Sequence, residues 1–324
     1  MKNTRRLRRI AFFIPFQGCA RRCVYCDQKA ITGTGGELSP ETVRRTLASQ
    51  TESVELCYFG GSFARLSEPQ MAQYLDAINV APAGSKVTFS SYPGDFTGSS
   101  GAARAAILTK YPIGTVELGV PSLDPVTLRA CGRDDDPGEI LSSIRTLRDA
   151  GFHLGVQIMI GLPGQEPGRA RADLRQLAAL KRALRWDLRV YPCLVLRGTE
   201  LEELYNRALF TPLSLEEAIR ETGQLLVEAD ALGFDVIRVG LLESESLRQS
   251  VIAGPYHPAF GELARAEQLA LRLYTETPNA PRYITPADFS RLSAHKKQGL
   301  RRLAELDGLS LPEVTQGGGK STEK

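Results

Sequence analysis

The chain has 324 residues, 42% of them hydrophobic, and a formal net charge of +3 from 40 Lys and Arg against 37 Asp and Glu. That length suits one barrel of about 200 to 250 residues with an appendage, or two ordinary domains. The apolar content excludes a disordered chain, while the near-balanced charge neither demands nor excludes an anionic partner.

Met1–Arg9 is basic, and the apolar stretch Ile10–Phe16 behind it is short and interrupted by Pro15. It reads as a solvated arm before a first strand rather than a signal peptide. No apolar run reaches the roughly 18 residues of a membrane span. A cytoplasmic protein is expected, with reduced thiols, so closely spaced cysteines read as metal-binding or catalytic. Strands are predicted at Arg9–Ile14, Val54–Phe59, Lys86–Ser91, Thr115–Val120, His153–Ile160, Leu188–Leu194 and Asp235–Val239. Several are almost continuously apolar, as strands buried on both faces are. Helical periodicity fills the gaps at Pro40–Gln50, Glu68–Asn79, Gly101–Lys110, Pro137–Ala150, Arg169–Leu184 and Leu215–Leu232. Ser39-Pro40-Glu41 and Ser67-Glu68-Pro69 carry helix-start signals, and Gly151 and Gly233 carry stop signals.

Strict alternation predicts an α/β protein with a parallel sheet and right-handed crossovers. No G-x-G-x-x-G follows a strand, so a partial (β/α)6-type barrel is favoured over a doubly wound dinucleotide fold. The alternation stops near residue 245. Helices are expected at Ala259–Leu273 and over 287–308, the latter carrying Arg291, His295, Lys296 and Lys297. The predicted organisation is a barrel at 1–245, a mainly helical appendage at 246–312 and a flexible tail at 313–324.

In a β/α barrel the loops after the strands carry the chemistry. The loop after the first strand reads Cys19-Ala20-Arg21-Arg22-Cys23-Val24-Tyr25-Cys26. Three soft thiolates at C-x3-C-x2-C spacing select zinc or iron–sulfur. A structural zinc or an electron-transfer cluster takes four protein ligands. Cys57, Cys131 and Cys193 lie on separate elements and read as small buried hydrophobes. Three ligands leave one metal corner for a substrate or cofactor; a zinc site completed from elsewhere is the competing reading.

This loop resembles the cluster motif of the radical S-adenosylmethionine (SAM) superfamily, with Tyr25 at the usual aromatic position before the last Cys. The stretch from Ile14 to Gly33 is similar to bacterial proteins related to the radical SAM domain of the Elongator catalytic subunit; the chain has no room for that subunit's acetyltransferase domain. Tyr58-Phe59-Gly60-Gly61-Ser62-Phe63 resembles the glycine-pair motif, Val116–Ser122 the fourth-strand motif and Gln157–Gln165 the end of the fifth strand. Arg189-Val190-Tyr191-Pro192, Val236–Gly240 and Gly254–Leu263 resemble later blocks.

The resemblance implies a [4Fe–4S] cluster on Cys19, Cys23 and Cys26, with SAM on the fourth iron. It places Gly60, Gly61 and Ser62 at the SAM amino group, Glu117 at the ribose, and Arg238 at SAM or substrate. Gln157, polar within an apolar run, reads as facing a ligand. A reducing partner of flavodoxin or ferredoxin type is implied. Arg21 and Arg22 read first as solvated charges and second as a steering patch for that donor.

Three departures stand out. Ser62 replaces a frequent acid, Tyr92 a usual Arg, and Pro121 a usual Gln. The substrate therefore stays open between tRNA, a small molecule and a peptide. Tyr92, Tyr191 and Cys193 are the candidate catalytic residues. The rival function is a non-catalytic iron–sulfur or zinc protein that binds RNA through its basic C-terminal segment.

Overall fold

A computed structural model describes residues 7–36, 38–277 and 284–311. Its strands are β1 (Arg8–Phe13), β2 (Val54–Phe59), β3 (Lys86–Ser91), β4 (Ile113–Gly119), β5 (Leu154–Ile160), β6 (Asp187–Pro192), β7 (Val195–Leu196), β8 (Asp235–Val239) and β9 (Val251–Ala253). Its helices are α1 (Gln28–Thr32), α2 (Pro40–Ala48), α3 (Glu68–Leu75), α4 (Gly98–Leu108), α5 (Pro125–Ala130), α6 (Pro137–Asp149), α7 (Arg169–Lys181), α8 (Glu200–Asn206), α9 (Leu215–Ala231), α10 (Glu245–Ser250), α11 (Phe260–Glu276) and α12 (Pro286–Asp307).

Seven strands form one sheet in the order β1-β2-β3-β4-β5-β6-β8, every pair parallel. β1 and β8 are its two edges, so the barrel is partial, as expected, with β8 extending the six-unit series. Side chains alternate between the two faces of each strand. Along β5, Leu154, Val156, Ile158 and Ile160 are buried on the helix side. They join Leu47 of α2, Leu75 of α3, Leu108 of α4, Ile144 of α6, Leu177 of α7 and Leu225 of α9 in one core. Each such side chain contributes about 1.5–3 kcal/mol by leaving water. The alternate residues, such as Gln157 in β5 and Asp187, Arg189 and Tyr191 in β6, face the lumen and are half-buried.

Local signals hold the helices in place. Ser67 of α3 and Ser214 of α9 form capping boxes with Gln70 and Glu217. Gly151 and Gly233 end helices at φ +87° and +71°, where glycine has no side chain to clash.

The region beyond residue 245 is tied back to the barrel. β9 pairs antiparallel with β7, and α11 packs on α9. α12 packs on α11 over a small second core that includes Leu273, Ile284, Leu292, Leu300 and Leu303. The continuous helix expected over 287–308 is instead kinked. His295, Lys296 and Lys297 take left-handed φ of 46°, 61° and 63°. Close crossing at Gly299, where a Cβ would stand 2.8 Å from the Leu292 side chain, lets the two halves fold on each other. At the kink, His295 Nε2 lies 2.7 Å from Glu262 Oε2. The expected arm at 1–6, most of the linker at 277–281 and the tail at 313–324 lie outside the described residues. Among the described residues no helix is long and apolar enough to cross a membrane.

Candidate functional site

The cysteine loop follows β1 and is braced by backbone contacts against the end of β2. Ile14 N–H donates to Phe59 O (2.9 Å) and Ser62 N–H to Gln17 O (2.7 Å). Gly18 and Gly61 make this approach possible. Both have positive φ, +71° and +60°. A Cβ on Gly18 would stand 2.1 Å from Ser62 O, and one on Gly61 would stand 2.3 Å from Gln17 O. The glycine pair thus has a structural reason of its own: it admits the loop's backbone. Within the loop, Cys26 N–H donates to Cys23 O (2.9 Å). Asp27 then caps α1 by accepting from Lys29 and Ala30 N–H.

Cys19, Cys23 and Cys26 are free and partly exposed. Burial, then the neighbouring Cys23 and Cys19, push the Cys26 thiol up to about 12. Burial also raises Cys19, against a hydrogen bond from Gln28 that lowers it. Among the described residues, no three His, Cys, Asp or Glu side chains converge as metal ligands do. The donor set nevertheless fits a thiophilic metal centre. Three soft donors share one short loop, close enough for Cys26 to sense both others. Binding there must displace thiol protons.

The lumen holds the other expected residues. Glu117 accepts a two-bond fork from Arg189, Nε to Oε2 and a terminal nitrogen to Oε1, each 2.7 Å. Gly155 makes room for it: a Cβ there would stand 3.2 Å from Glu117 Cγ. Arg189 also lies over the Phe59 ring at 5.3 Å. Tyr191, beside Arg189, has its phenol raised by burial. Arg238 Nε donates to Gly240 O (3.0 Å). Gln157 Nε2 is buried and has no hydrogen-bond partner among the described residues. A buried amide nitrogen of this kind is costly unless a ligand meets it. It lines a small cavity together with Glu117, Arg189 and Ile237.

Ser62 is buried and already engaged. Its hydroxyl donates to Asp95 and accepts from Tyr92 N–H at 2.8 Å. Asp95, fully buried, also accepts from Arg65 Nε at 2.8 Å. An acid does stand beside the glycine pair, then, but β3's exit supplies it. Tyr92's ring lies 4.5 Å from the Arg133 guanidinium and 5.9 Å from that of Arg65. Cys193 and Cys131 are buried in an apolar cluster with Val24, Met159 and Leu162, against which Tyr25 packs. Burial raises the Cys193 thiol strongly. The expected sites at Cys19–Cys26, Gly60–Ser62 and Tyr92 therefore meet at one mouth, and Glu117, Gln157, Tyr191 and Arg238 share the lumen.

Sequence reasoning missed Gln28, Asp95, Arg133 and the role of Arg189. Arg189 carried a readable signal: Asp187, Arg189 and Tyr191 alternate with Leu188 and Val190, so a charge faces the lumen. Arg133, nearly buried beside Asp135 at 3.0 Å, and Asp95 sit in connecting segments with no such period.

Two family models match the chain: Radical SAM superfamily over residues 13–177 and Radical_SAM C-terminal domain over 186–270. A tRNA uridine(34) acetyltransferase from Methanocaldococcus infernus is 32% identical over 104 residues, covering 32% of this chain and 20% of the relative. Another of that name from Dehalococcoides mccartyi is 28% identical over 232 residues, covering 60% and 50%. The chain thus matches from a fifth to half of the length of these relatives. In fold, it is similar to an N-terminally truncated Elp3 from Methanocaldococcus infernus, with a TM-score of 0.57 and 19% identity over 83% of this chain and 62% of that one. The first family model spans more than half of the sequence, and the chain belongs to the radical SAM superfamily, whose enzymes use a [4Fe–4S] cluster and SAM.

Proposed function

We propose that this chain is an enzyme that holds a [4Fe–4S] cluster through Cys19, Cys23 and Cys26 and cleaves SAM reductively. When bound, the two cofactors supply one-electron cleavage of the sulfonium and a 5′-deoxyadenosyl radical that abstracts hydrogen from the substrate. The protein's part is to orient and to exclude water. The braced loop fixes the three thiols at the mouth of the lumen. The backbone carbonyls of Gly60 and Gly61, beside the loop, are the acceptors we assign to the SAM amino group. The lumen offers Gln157 Nε2 as a donor to the nucleoside, Glu117 as acceptor at the ribose with Arg189 setting its orientation, and Arg238 as a cation for SAM or substrate. Tyr92, itself a departure from the family pattern, and Tyr191, in the lumen beside Arg189, are the residues we assign to the substrate side of the pocket.

The single observation that carries this reading is a three-thiol loop braced by glycines at the C-terminal mouth of a parallel partial barrel. The test is anaerobic reconstitution followed by incubation with SAM and dithionite. Release of 5′-deoxyadenosine and methionine, lost in Cys19→Ser, Cys23→Ser and Cys26→Ser, is expected. Zinc binding without sulfide and without SAM turnover contradicts the reading and favours a non-catalytic RNA-binding protein.

The names of the relatives favour tRNA as substrate over a small molecule. Transfer of deuterium from labelled tRNA into 5′-deoxyadenosine tests this. Further parts of the proposal are an acidic flavodoxin- or ferredoxin-type electron donor, a barrel at 1–245 with an appendage at 246–312, and a cytoplasmic location. The six free cysteines support a reducing compartment.

A further inference from the structure

Gln28, the first residue of α1, lies two positions beyond the last of the three thiols. Its Oε1 accepts from two backbone donors on different segments, Phe16 N–H at 2.5 Å and Gly61 N–H at 2.7 Å. Its Nε2 lies 3.8 Å from Cys19 Sγ, within hydrogen-bond reach of sulfur. Phe16 is held at φ +61°, a left-handed conformation that a non-glycine residue keeps only where its surroundings impose it. A Cβ on Gly60 would stand 3.2 Å from that same Oε1, so the glycine pair also makes space for this amide. One side chain therefore joins the loop's first turn, the glycine pair and the first cysteine. The two N–H donors fix which end of the amide is oxygen, and this leaves the NH2 group facing sulfur.

We propose that Gln28 is a positioning residue that holds Cys19 Sγ and, with the cluster bound, donates a hydrogen bond to that sulfur. This rests on the reading above that Cys19, Cys23 and Cys26 hold the cluster. Such a bond favours the more negative, reduced cluster and raises its reduction potential. The amide does not touch substrate; it acts through the ligand it orients.

Two substitutions test the role, read by EPR-monitored redox titration and by iron and sulfide content. Gln28→Glu keeps an acceptor for Phe16 and Gly61 N–H but removes the donor to sulfur. It is expected to assemble the cluster with a more negative midpoint potential than the wild type. Gln28→Met is also without an N–H donor but is neutral, which separates the lost hydrogen bond from the added charge. A shift in the same direction is expected, together with lower iron content because both backbone contacts are lost. An unchanged midpoint potential in Gln28→Met overturns the proposal even where the wild type carries a normal [4Fe–4S] cluster. A wild-type protein that assembles no [4Fe–4S] cluster overturns the cluster reading itself, and this inference with it.

Discussion

The two ends of the barrel lumen treat buried polar groups in opposite ways. Toward the N-terminal ends of the strands, polar groups answer one another. Arg9 donates to Glu55 (2.8 Å), Thr88 donates to the same carboxylate (2.6 Å), and His153 faces Asp187 at 3.7 Å. The Glu117–Arg189 fork tops this layer and borders the cavity that Gln157 also lines. Above it, level with Arg189, Gln157 Nε2 has no partner among the described residues, and at the C-terminal mouth the three loop thiols are in no disulfide. Both ends are polar, so polarity alone does not mark a binding site. Incomplete pairing does, because a buried donor without an acceptor lowers stability unless something else binds it.

Breaking the paired layer gives the largest expected effect. Arg189→Met leaves Glu117 buried and unpaired, and a loss of about 3–5 kcal/mol is expected in chemical denaturation. Glu117→Gln added to Arg189→Met should recover part of it; full additivity of the two losses contradicts the pairing.

The brace that holds the cysteine loop against the end of β2 comes next. Gly61→Ala combines left-handed strain of about 1–2 kcal/mol with overlap against Gln17 O. Lower stability and reduced iron uptake are expected together. Wild-type iron uptake in that variant contradicts the bracing role.

Gln157→Leu sharpens the contrast, because it removes an orphan rather than a partner. The apo protein is expected to keep its stability or gain about 1 kcal/mol, while SAM binding by calorimetry weakens. A clear loss of apo stability assigns Gln157 to the paired layer instead.

The smallest effect is a pH dependence. The Asp187 carboxylate, facing the ring at 3.7 Å, raises the His153 pKa above its ordinary value. A raised pKa means the pair stabilises the fold below the ordinary histidine range, and the contribution is lost as pH rises through the folded value. His153 is partly exposed, so screening limits the effect to below about 0.5 kcal/mol. Denaturation midpoints between pH 5.5 and 8 should show it in the wild type and not in His153→Gln.

Much of the scaffold was legible because periodicity is local. The limits of β2, β3 and β8 match the expected runs Val54–Phe59, Lys86–Ser91 and Asp235–Val239. The short helices α5, α8 and α10 escaped, since six or seven residues span too few turns to show a period. The kink in α12 escaped as well. Ala294–Lys297 contains neither Gly nor Pro, and the crossing depends on Gly299 meeting Leu292. At the site, the cysteine spacing lay within one loop and could be read directly. The partner of Glu117 could not, because Arg189 approaches from two strands away. Nor could Asp95 be placed beside Ser62, where an acid was missing from the glycine-pair motif itself.

The most direct test is the EPR spectrum of the anaerobically reconstituted, dithionite-reduced protein, recorded before and after adding SAM. If three thiols leave one iron open to SAM, the spectrum is that of a single reduced [4Fe–4S] cluster, and its g-values change when SAM is added. A cluster signal that SAM leaves untouched, or no cluster signal from protein that has taken up zinc instead, contradicts that claim.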